Sequence, residues 1–507
     1  MSEEVQLAAV FNSISPAEFF YRNRHMAGFG NATLAVYSTV RELVENSLDA
    51  CEDSGRLPFI IVDLVDESHD FVSVTVADNG TGIPYQHVSE SFGKMLFGSK
   101  YDTRQKRGTF GLGATMAVLY GQITTEHAVE VHTQTGTSGG HAYRLLIDIE
   151  HNVPIVESDS TLDRDGPGTT VTIHIKGDLK RAQDRILEYL RMTTIVTPHA
   201  KVLLRINRIA TATLGRWTEQ LPSVPVVSKP HPRAADLEML KRLIAENKQK
   251  SVRSILVESF QQVGDHTAAR LLRHAALDSR KVGWSLSREE ISRLSAALKS
   301  FDGFARPDGS CLSPVGRDSF LTSVKSVFPV SFCSYGRRGP SEWEGNPFVV
   351  EGVLASGDSV DESDVPVLYR FANKVPLLYD ASDDVFMKVL KKIDWSKYCV
   401  RGARQVYVFV HLSSTRIPYR AAGKQSIALV PEIEAEALTL LRGLARELGK
   451  SARELGHRGR SVKKMHEFAK SFRLIAKFGA SLAESDIPPT ERLISGLFEG
   501  SDNGRVD

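Results

Sequence analysis

The chain has 507 residues, 42% of them hydrophobic, which is ample for several domains of about 150 residues with a core each. Its 63 basic and 61 acidic side chains leave a formal net charge of +2, which excludes a globally basic nucleic-acid wrapper and confines any such surface to a local patch. Four scattered cysteines (Cys51, Cys311, Cys333 and Cys399) form no CxxC pair that would signal zinc, and without a signal peptide or long apolar run they predict a reducing intracellular compartment and no membrane contact.

In chain order, the first informative element is "RELVENSLDACEDSG", Arg41 to Gly55. Leu43, Val44, Ser47, Leu48, Ala50 and Cys51 recur at helical spacing, so this is a helix with an apolar stripe. Glu42 and Asn46 lie four apart and leave the same face. Polar groups beside such a stripe either solvate an edge or coordinate something; Glu45, about 100° round the helix from Asn46, reads as a solvated bystander. Two strands follow, "FIIVDLV" and "DFVSVTVADNG", the second ending in "DNGTGIP" with Asp78 at its tip. Gly80 and Gly82 let the backbone approach a flat ligand, and the Asp78 carboxylate can accept from an exocyclic amine such as adenine carries. Asp-Asn-Gly is also a common turn.

The stretch "GSKYDTRQKRGTFGLGATMAVLYGQIT" supplies a basic, polar loop, then Gly108, Gly111 and Gly113, then an apolar helix from Ala114 to Tyr120. Glycines opening a helix offer backbone N–H groups and the positive dipole end to phosphate. No Gly-Lys-Ser/Thr follows, which excludes a Walker loop, and no strand runs directly into the glycines, which excludes the Rossmann fingerprint. In "DGPGTTVTIHIKG", Gly168 and Thr169 precede a strand; either Thr169 or Thr170 can hold a base through water, and a plain hairpin turn fits the same letters.

Taken in this order, the Glu/Asn helix, DxGxG, the glycine-rich lid and the Gly-Thr strand resemble the Bergerat (GHKL) ATPases, which include gyrase B, MutL, the ninety-kilodalton heat-shock chaperones and sensor histidine kinases. The resemblance implies ATP and Mg²⁺ as cofactors, with Asn46 coordinating Mg²⁺ and Glu42 polarising the attacking water as general base. The nucleotide site it implies takes in Asn46, Asp78, Gly80, Gly82, Ser99 and Lys100, then Gly108, Thr109, Phe110, Gly111, Leu112, Gly113, Ala114 and Thr115, and finally Thr170.

Beyond a Pro-rich break, Leu221 to Arg233, the text turns helical, with a Gly264-centred turn between helices. Lys241, Arg242, Lys248, Lys250, Arg253, Arg270 and Arg273 make this stretch locally basic; a DNA-binding helix pair and a packing unit with a solvated face both fit. Strand and helix alternate again from "CLSPVGRDSF". Six stretches, "SPAEFFYRNRHMAGFG", "RELVENSLDACE", "KPHPR", "LSPVG", "YRFANKVPLLYD" and "SSTRIPYRAAGK", together resemble the B subunits of the type IIB DNA topoisomerases over nearly the whole chain.

That resemblance implies an α+β multidomain protein: a GHKL ATPase domain with an N-terminal dimerisation segment (1–228), a helix–two-turns–helix domain (229–312), a transducer of ribosomal-S5-like fold (313–460) and a helical tail (461–507). It implies an isomerase of two A and two B subunits that relaxes and decatenates double-stranded DNA by ATP-driven clamp closure. The cleaving tyrosine belongs to the A subunits, and the B subunits dimerise with ATP. Such an enzyme is expected in the cytoplasm at the nucleoid, or in the nucleus of a eukaryote. Lys424, in "AAGK", matches the transducer lysine that senses the γ-phosphate. Two departures bear on DNA contacts: the family's Trp-Lys-x-Tyr element reads "WSKY" here, with Trp395, Lys397 and Tyr398, and the basic loop after the ATPase strand is indistinct, "KGDLKRAQDR" offering Lys176, Lys180 and Arg181. The tail after about Arg460 docks on the A partner or folds back on the transducer. Rival readings are a MutL- or gyrase-like ATPase, a chaperone, and a non-catalytic scaffold for a meiotic DNA-cleaving partner, which would not need Glu42 or the glycines that this chain keeps.

Overall fold

The computed structural model describes residues 13–68, 70–98, 104–108, 111–136, 139–227, 229–358, 365–398, 404–421 and 423–491. After a short helix α1 (Pro16–Arg22), helix α2 (Ala32–Asp53) starts where the Asn31 side chain accepts from Leu34 N, satisfying one of the free N–H groups of its first turn. Strands β1 (Phe59–Ser68) and β2 (Phe71–Ala77) follow, then α3 (Tyr85–Gly93) and α4 (Gly113–Thr125). Next come β3 (Val129–Gln134), β4 (Gly140–Asp148), β5 (Val153–Leu162) and β6 (Gly168–Lys176), and then α5 (Leu179–Val196), β7 (Lys201–Ile206) and β8 (Ile209–Gly215).

The strands form one eight-stranded sheet in the order β5-β4-β3-β6-β2-β1-β7-β8, antiparallel except where β1 runs parallel to β7. Period-2 alternation sets its two faces. On β6, Val171, Ile173 and Ile175 enter the core with α2, α4 and α5, while Thr172 meets Thr75 on the other side. Helix α2 is buried almost all round, including Arg41, Glu42 and Glu45, so its polar residues lie inside the molecule.

Four helices follow the Pro-rich break: α6 (Leu237–Glu246), α7 (Val252–Ser259), α8 (Asp265–His274) and α9 (Arg288–Ser300). They share a separate core of Leu240, Leu256, Leu271, Leu294 and their neighbours. Where the sequence predicts two helices round Gly264, the Ser251 and Ser287 caps mark two further starts.

The last part is a second α/β layer, with α10 (Arg317–Val327), β9 (Phe332–Trp343), β10 (Asn346–Asp358), β11 (Val367–Ala372) and β12 (Val375–Pro376). It ends with α11 (Val385–Lys391), β13 (Arg404–Ser414) and the 52-residue α12 (Pro431–Leu482). Its sheet runs β12-β11-β13-β10-β9, with β11 parallel to β13. The boundary expected at 460 falls inside α12, which continues unbroken through it. Leu440, Leu441 and Leu444 of that helix pack on the sheet, whereas Phe468, Leu474, Ile475, Phe478 and Leu482 are exposed. Among the described residues no helix is long and apolar enough to cross a membrane.

Candidate nucleotide site

A cavity of about 640 Å³ opens between α2, the tip of β2, the start of β6 and the start of α4. That is within the range of sites that hold a small molecule or cofactor. The structure brings Glu42, Asn46, Asp78, Gly82, Gly108, Gly111, Leu112, Gly113, Ala114 and Thr115 together on its wall, and Lys424 reaches it from the second sheet's domain.

Asp78 is fixed from three sides: Ser47 Oγ donates to Oδ2 at 2.9 Å, and the N–H groups of Gly80 and Thr169 donate to Oδ1 at 2.9 and 3.2 Å. Burial pushes its carboxyl above the ordinary value, against those donors. Arg164 braces the same strand tip by donating to the Asp78 carbonyl at 3.0 Å.

Three expectations change here. Thr169 lines the cavity and meets Thr133 Oγ1 at 3.1 Å; Thr170 is on the opposite face of the sheet, 3.4 Å from Arg164, because adjacent strand residues alternate. Gly80 is not at the cavity wall, since its Cα faces Ala50 of α2, where a Cβ would come within 2.9 Å of the backbone. Gly82, at φ +70°, does line the cavity, but its missing Cβ makes room for the Gln134 carbonyl, 1.9 Å from where that atom would be. Both glycines thus serve chain packing, Gly80 against α2 and Gly82 against the Gln134 carbonyl.

At the other end, α4 starts at Gly113 with no side-chain cap on its first turn, so backbone donors and the positive dipole end are presented at the cavity wall. Glu42 lies against this turn. Arg41 Nη2 is 2.5 Å from Glu42 Oε1, and Arg41 Nη1 donates to the Gly423 carbonyl at 2.9 Å. Lys424, in a left-handed conformation at φ +53°, brings Nζ to 3.7 Å from Glu42 Oε2 and 3.3 Å from Glu45 Oε2. Glu45 is therefore no solvated bystander: it is 1% exposed and shares both cations. Burial raises its carboxyl against the pull of Lys424, while Glu42 and Glu45 outweigh burial to hold the Lys424 ammonium above its ordinary value.

Sequence reasoning missed Arg107, at the root of the lid. Its guanidinium reaches Asp49 Oδ1 at 2.8 Å and Glu52 Oε1 at 2.6 Å, and its carbonyl accepts from Lys424 Nζ at 3.3 Å. Ser99, Lys100, Thr109 and Phe110 lie outside the described residues. Of the DNA-contact candidates, Trp395 is closed into the core and donates its indole N–H to the Leu390 carbonyl at 3.0 Å, so it offers no face to a duplex. Tyr398 is half-buried against it, and Lys397 is exposed beside Asp394. Lys180 and Arg181 are exposed in the first turn of α5, Arg181 beside Asp178.

A strand-tip aspartate, a Glu/Asn helix and an uncapped glycine-rich helix start, set round one cavity on a mostly antiparallel sheet, define a GHKL-type nucleotide-binding ATPase domain. Residues 31–179 match the family described as histidine kinase-, DNA gyrase B-, and HSP90-like ATPase, and residues 307–464 match the topoisomerase VI B subunit, transducer. The chain is 39% identical over 501 residues to the B subunit of type 2 DNA topoisomerase 6 from Saccharolobus islandicus, covering 96% of this chain and 94% of that one. The Saccharolobus solfataricus protein of the same name matches with the same identity and coverage. This chain belongs to the family of topoisomerase VI B subunits. It is also similar to the ATPase region of Saccharomyces cerevisiae topoisomerase II, at 11% identity and a TM-score of 0.40 over 88% of this chain and 99% of that one.

Proposed function

We propose that this chain is the B subunit of a heterotetrameric type IIB topoisomerase, in which ATP hydrolysis drives passage of one DNA duplex through a break made by its A partner. The observation that carries the reading is Lys424: a lysine from the transducer domain sits inside the ATPase cavity, 3.7 Å from Glu42. A charge change at the phosphates is thereby tied to the position of a second domain.

In this mechanism Asp78 accepts from the adenine amine, and the uncapped N–H groups of α4 hold the phosphates. Glu42 orients and deprotonates water in line with the γ-phosphate. Asn46 would hold Mg²⁺, an oxygen donor on the cavity wall suited to a hard cation that otherwise takes phosphate oxygens and water. When bound, that ion offsets phosphate charge. Lys424 stays with the phosphate until hydrolysis releases it, which lets the transducer relax. The B subunits dimerise when ATP is bound, and DNA contacts come from local basic residues such as Lys180, Arg181 and Lys397, because the net charge is only +2.

The test is ATP turnover and decatenation by the complex reconstituted with its cleaving partner. Glu42→Ala is expected to keep nucleotide binding and to lose hydrolysis by roughly 10²–10⁴-fold. Lys424→Ala is expected to cut both hydrolysis and decatenation while the protein stays folded. Wild-type hydrolysis by the first variant, or full decatenation by the second, would overturn the reading.

A further inference from the structure

The quartet of Arg41, Glu42, Glu45 and Lys424 holds two cations and two carboxylates, all at most 7% exposed. Its distances are unequal. Lys424 Nζ is nearer Glu45 (3.3 Å) than Glu42 (3.7 Å), and donates a hydrogen bond to Glu45. Arg41 is tight on Glu42 at 2.5 Å, but its Nε stands 3.5 Å from Glu45 Oε1. Neither that Nε nor that Oε1 has a hydrogen-bond partner among the described residues, although both are shut off from solvent. A buried donor and acceptor left half an ångström short of a bond are costly, and a small shift would join them.

Resting on the reading of Glu42 as base and Lys424 as phosphate sensor, we propose that Glu45 is a positioning residue that exchanges its counter-ion during turnover. Before nucleotide arrives, Glu45 shares Lys424 with Glu42, so the ammonium does not settle wholly on the carboxylate that must hold the water. When Lys424 moves to the phosphate, Arg41 Nε closes on Glu45 Oε1. Glu45 keeps a partner, and no buried charge is left without one at any stage. Arg41 also holds the Gly423 carbonyl at 2.9 Å, so its closure is felt by the same loop that carries Lys424. Glu42 and Lys424 face the cavity, while Tyr37, Tyr189 and Tyr419 stand close to Glu45 and Arg41, both of which are at most 2% exposed. Exchange between fixed partners is therefore the available way to keep charge balanced at Glu45.

Glu45→Gln removes one carboxylate and leaves the two cations to Glu42. The expected result is a kcat for ATP lowered about tenfold or more with KM changed by less than about threefold, since the residue acts through Lys424 and not on the nucleotide. In a Lys424→Met background the same substitution is expected to cost almost nothing further, because the residue it acts through is gone. Glu45→Asp, which keeps the charge, should recover part of the rate. A destabilised Glu45→Gln protein is covered by the Glu45→Gln/Lys424→Met double variant, which restores charge balance and should melt above the single one. Wild-type kcat in a folded Glu45→Gln protein, or additive losses in the two backgrounds, would overturn the proposal. Full activity of Glu42→Ala and Lys424→Ala would instead sink the reading it rests on.

Discussion

A Cβ placed on Gly113 would lie 1.8 Å from Glu42 Oε2, so the first residue of α4 and the carboxylate of α2 occupy space that only a glycine leaves open. The atom in the way is the far end of a side chain, not backbone. Gly113→Ala is therefore expected to fold, with its melting temperature close to wild type, and to push Glu42 out of line. Hydrolysis should fall by about 10²-fold or more, as for loss of a general base. A thermal melt with an ATPase assay separates the two effects; normal turnover would show that the carboxylate has room to spare.

Asp78 is set up for a selective test. In Asp78→Asn, the Oδ1 that accepts from Gly80 and Thr169 can remain an oxygen, and the hydroxyl of Ser47 can turn to accept from the new amide. The local fold survives, but the acceptor that the proposed function gives to the adenine amine becomes a donor. Nucleotide affinity should drop roughly 10- to 100-fold, the usual cost of an unmatched buried polar contact. Calorimetric titration would measure this, and unchanged affinity would mean that Asp78 only supports the strand tip.

The motifs placed α2, β2, β6 and the start of α4 because each is local: helical spacing, alternation, and glycines at turns. What they did not place was long-range. Glu45 is three residues from Glu42 and so on its side of the helix, yet its partner Lys424 comes from 379 positions away in sequence. Thr169 and Thr170 are told apart by strand pleat, which needs the register of β6 against β2. Arg107 looked like one more charge in a basic loop, and only the fold of that loop back onto α2 gives it Asp49 and Glu52. Trp395 carried a motif resemblance, but its apolar surface was taken by the transducer core.

A second buried cluster joins the domains behind the cavity. Glu52 receives Arg107 at 2.6 Å, His199 at 2.9 Å and Lys374 at 3.8 Å, and Lys374 also donates to Ser313 at 3.0 Å. Burial works against the Glu52 carboxylate, but Arg107 and Lys374 overcome it and hold the group well below its ordinary value. Removing one member strands the others, so Glu52→Ala should destabilise the protein by about 3–5 kcal/mol. Chemical denaturation measures it, and a loss typical of a surface pair would show that the cluster is wet.

The same cluster predicts a pH response. Burial depresses His199 below its ordinary value, although Glu52 opposes this, so the unfolded chain takes up a proton that the folded chain refuses. Stability from this site is present above the ordinary imidazole value, about 6.5, and is lost as the pH falls through it towards the folded value. Glu52 adds a further loss only at lower pH, below the ordinary carboxylate range. Melting temperatures from about pH 7.5 to about 5.5 should decline in the wild type and decline less in His199→Gln, which keeps a donor towards Glu52. Equal slopes would mean that His199 is protonated in the fold.

Nucleotide-dependent pairing of two copies of this chain can be tested at the N-terminal face. Ile14, Phe19, Tyr21 and Met26 are each at least 40% exposed, although α1 is held against the domain by Ser15 Oγ donating to the Ile149 carbonyl. An apolar row at a fixed place is a surface built to be covered. A second copy of the same face would cover it in a twofold arrangement, the commonest closed symmetry for a dimer. The nucleotide enters because α1 packs on α4, whose first turn lines the cavity. Sedimentation at micromolar concentration should show a monomer without nucleotide and a dimer with a non-hydrolysable ATP analogue. Phe19→Ser combined with Tyr21→Ser should weaken the dimer while leaving analogue binding by the monomer unchanged, since neither side chain lines the cavity. A wild-type monomer under saturating analogue would remove the dimer from the mechanism. A variant that dimerises as well as wild type would move the contact to another face.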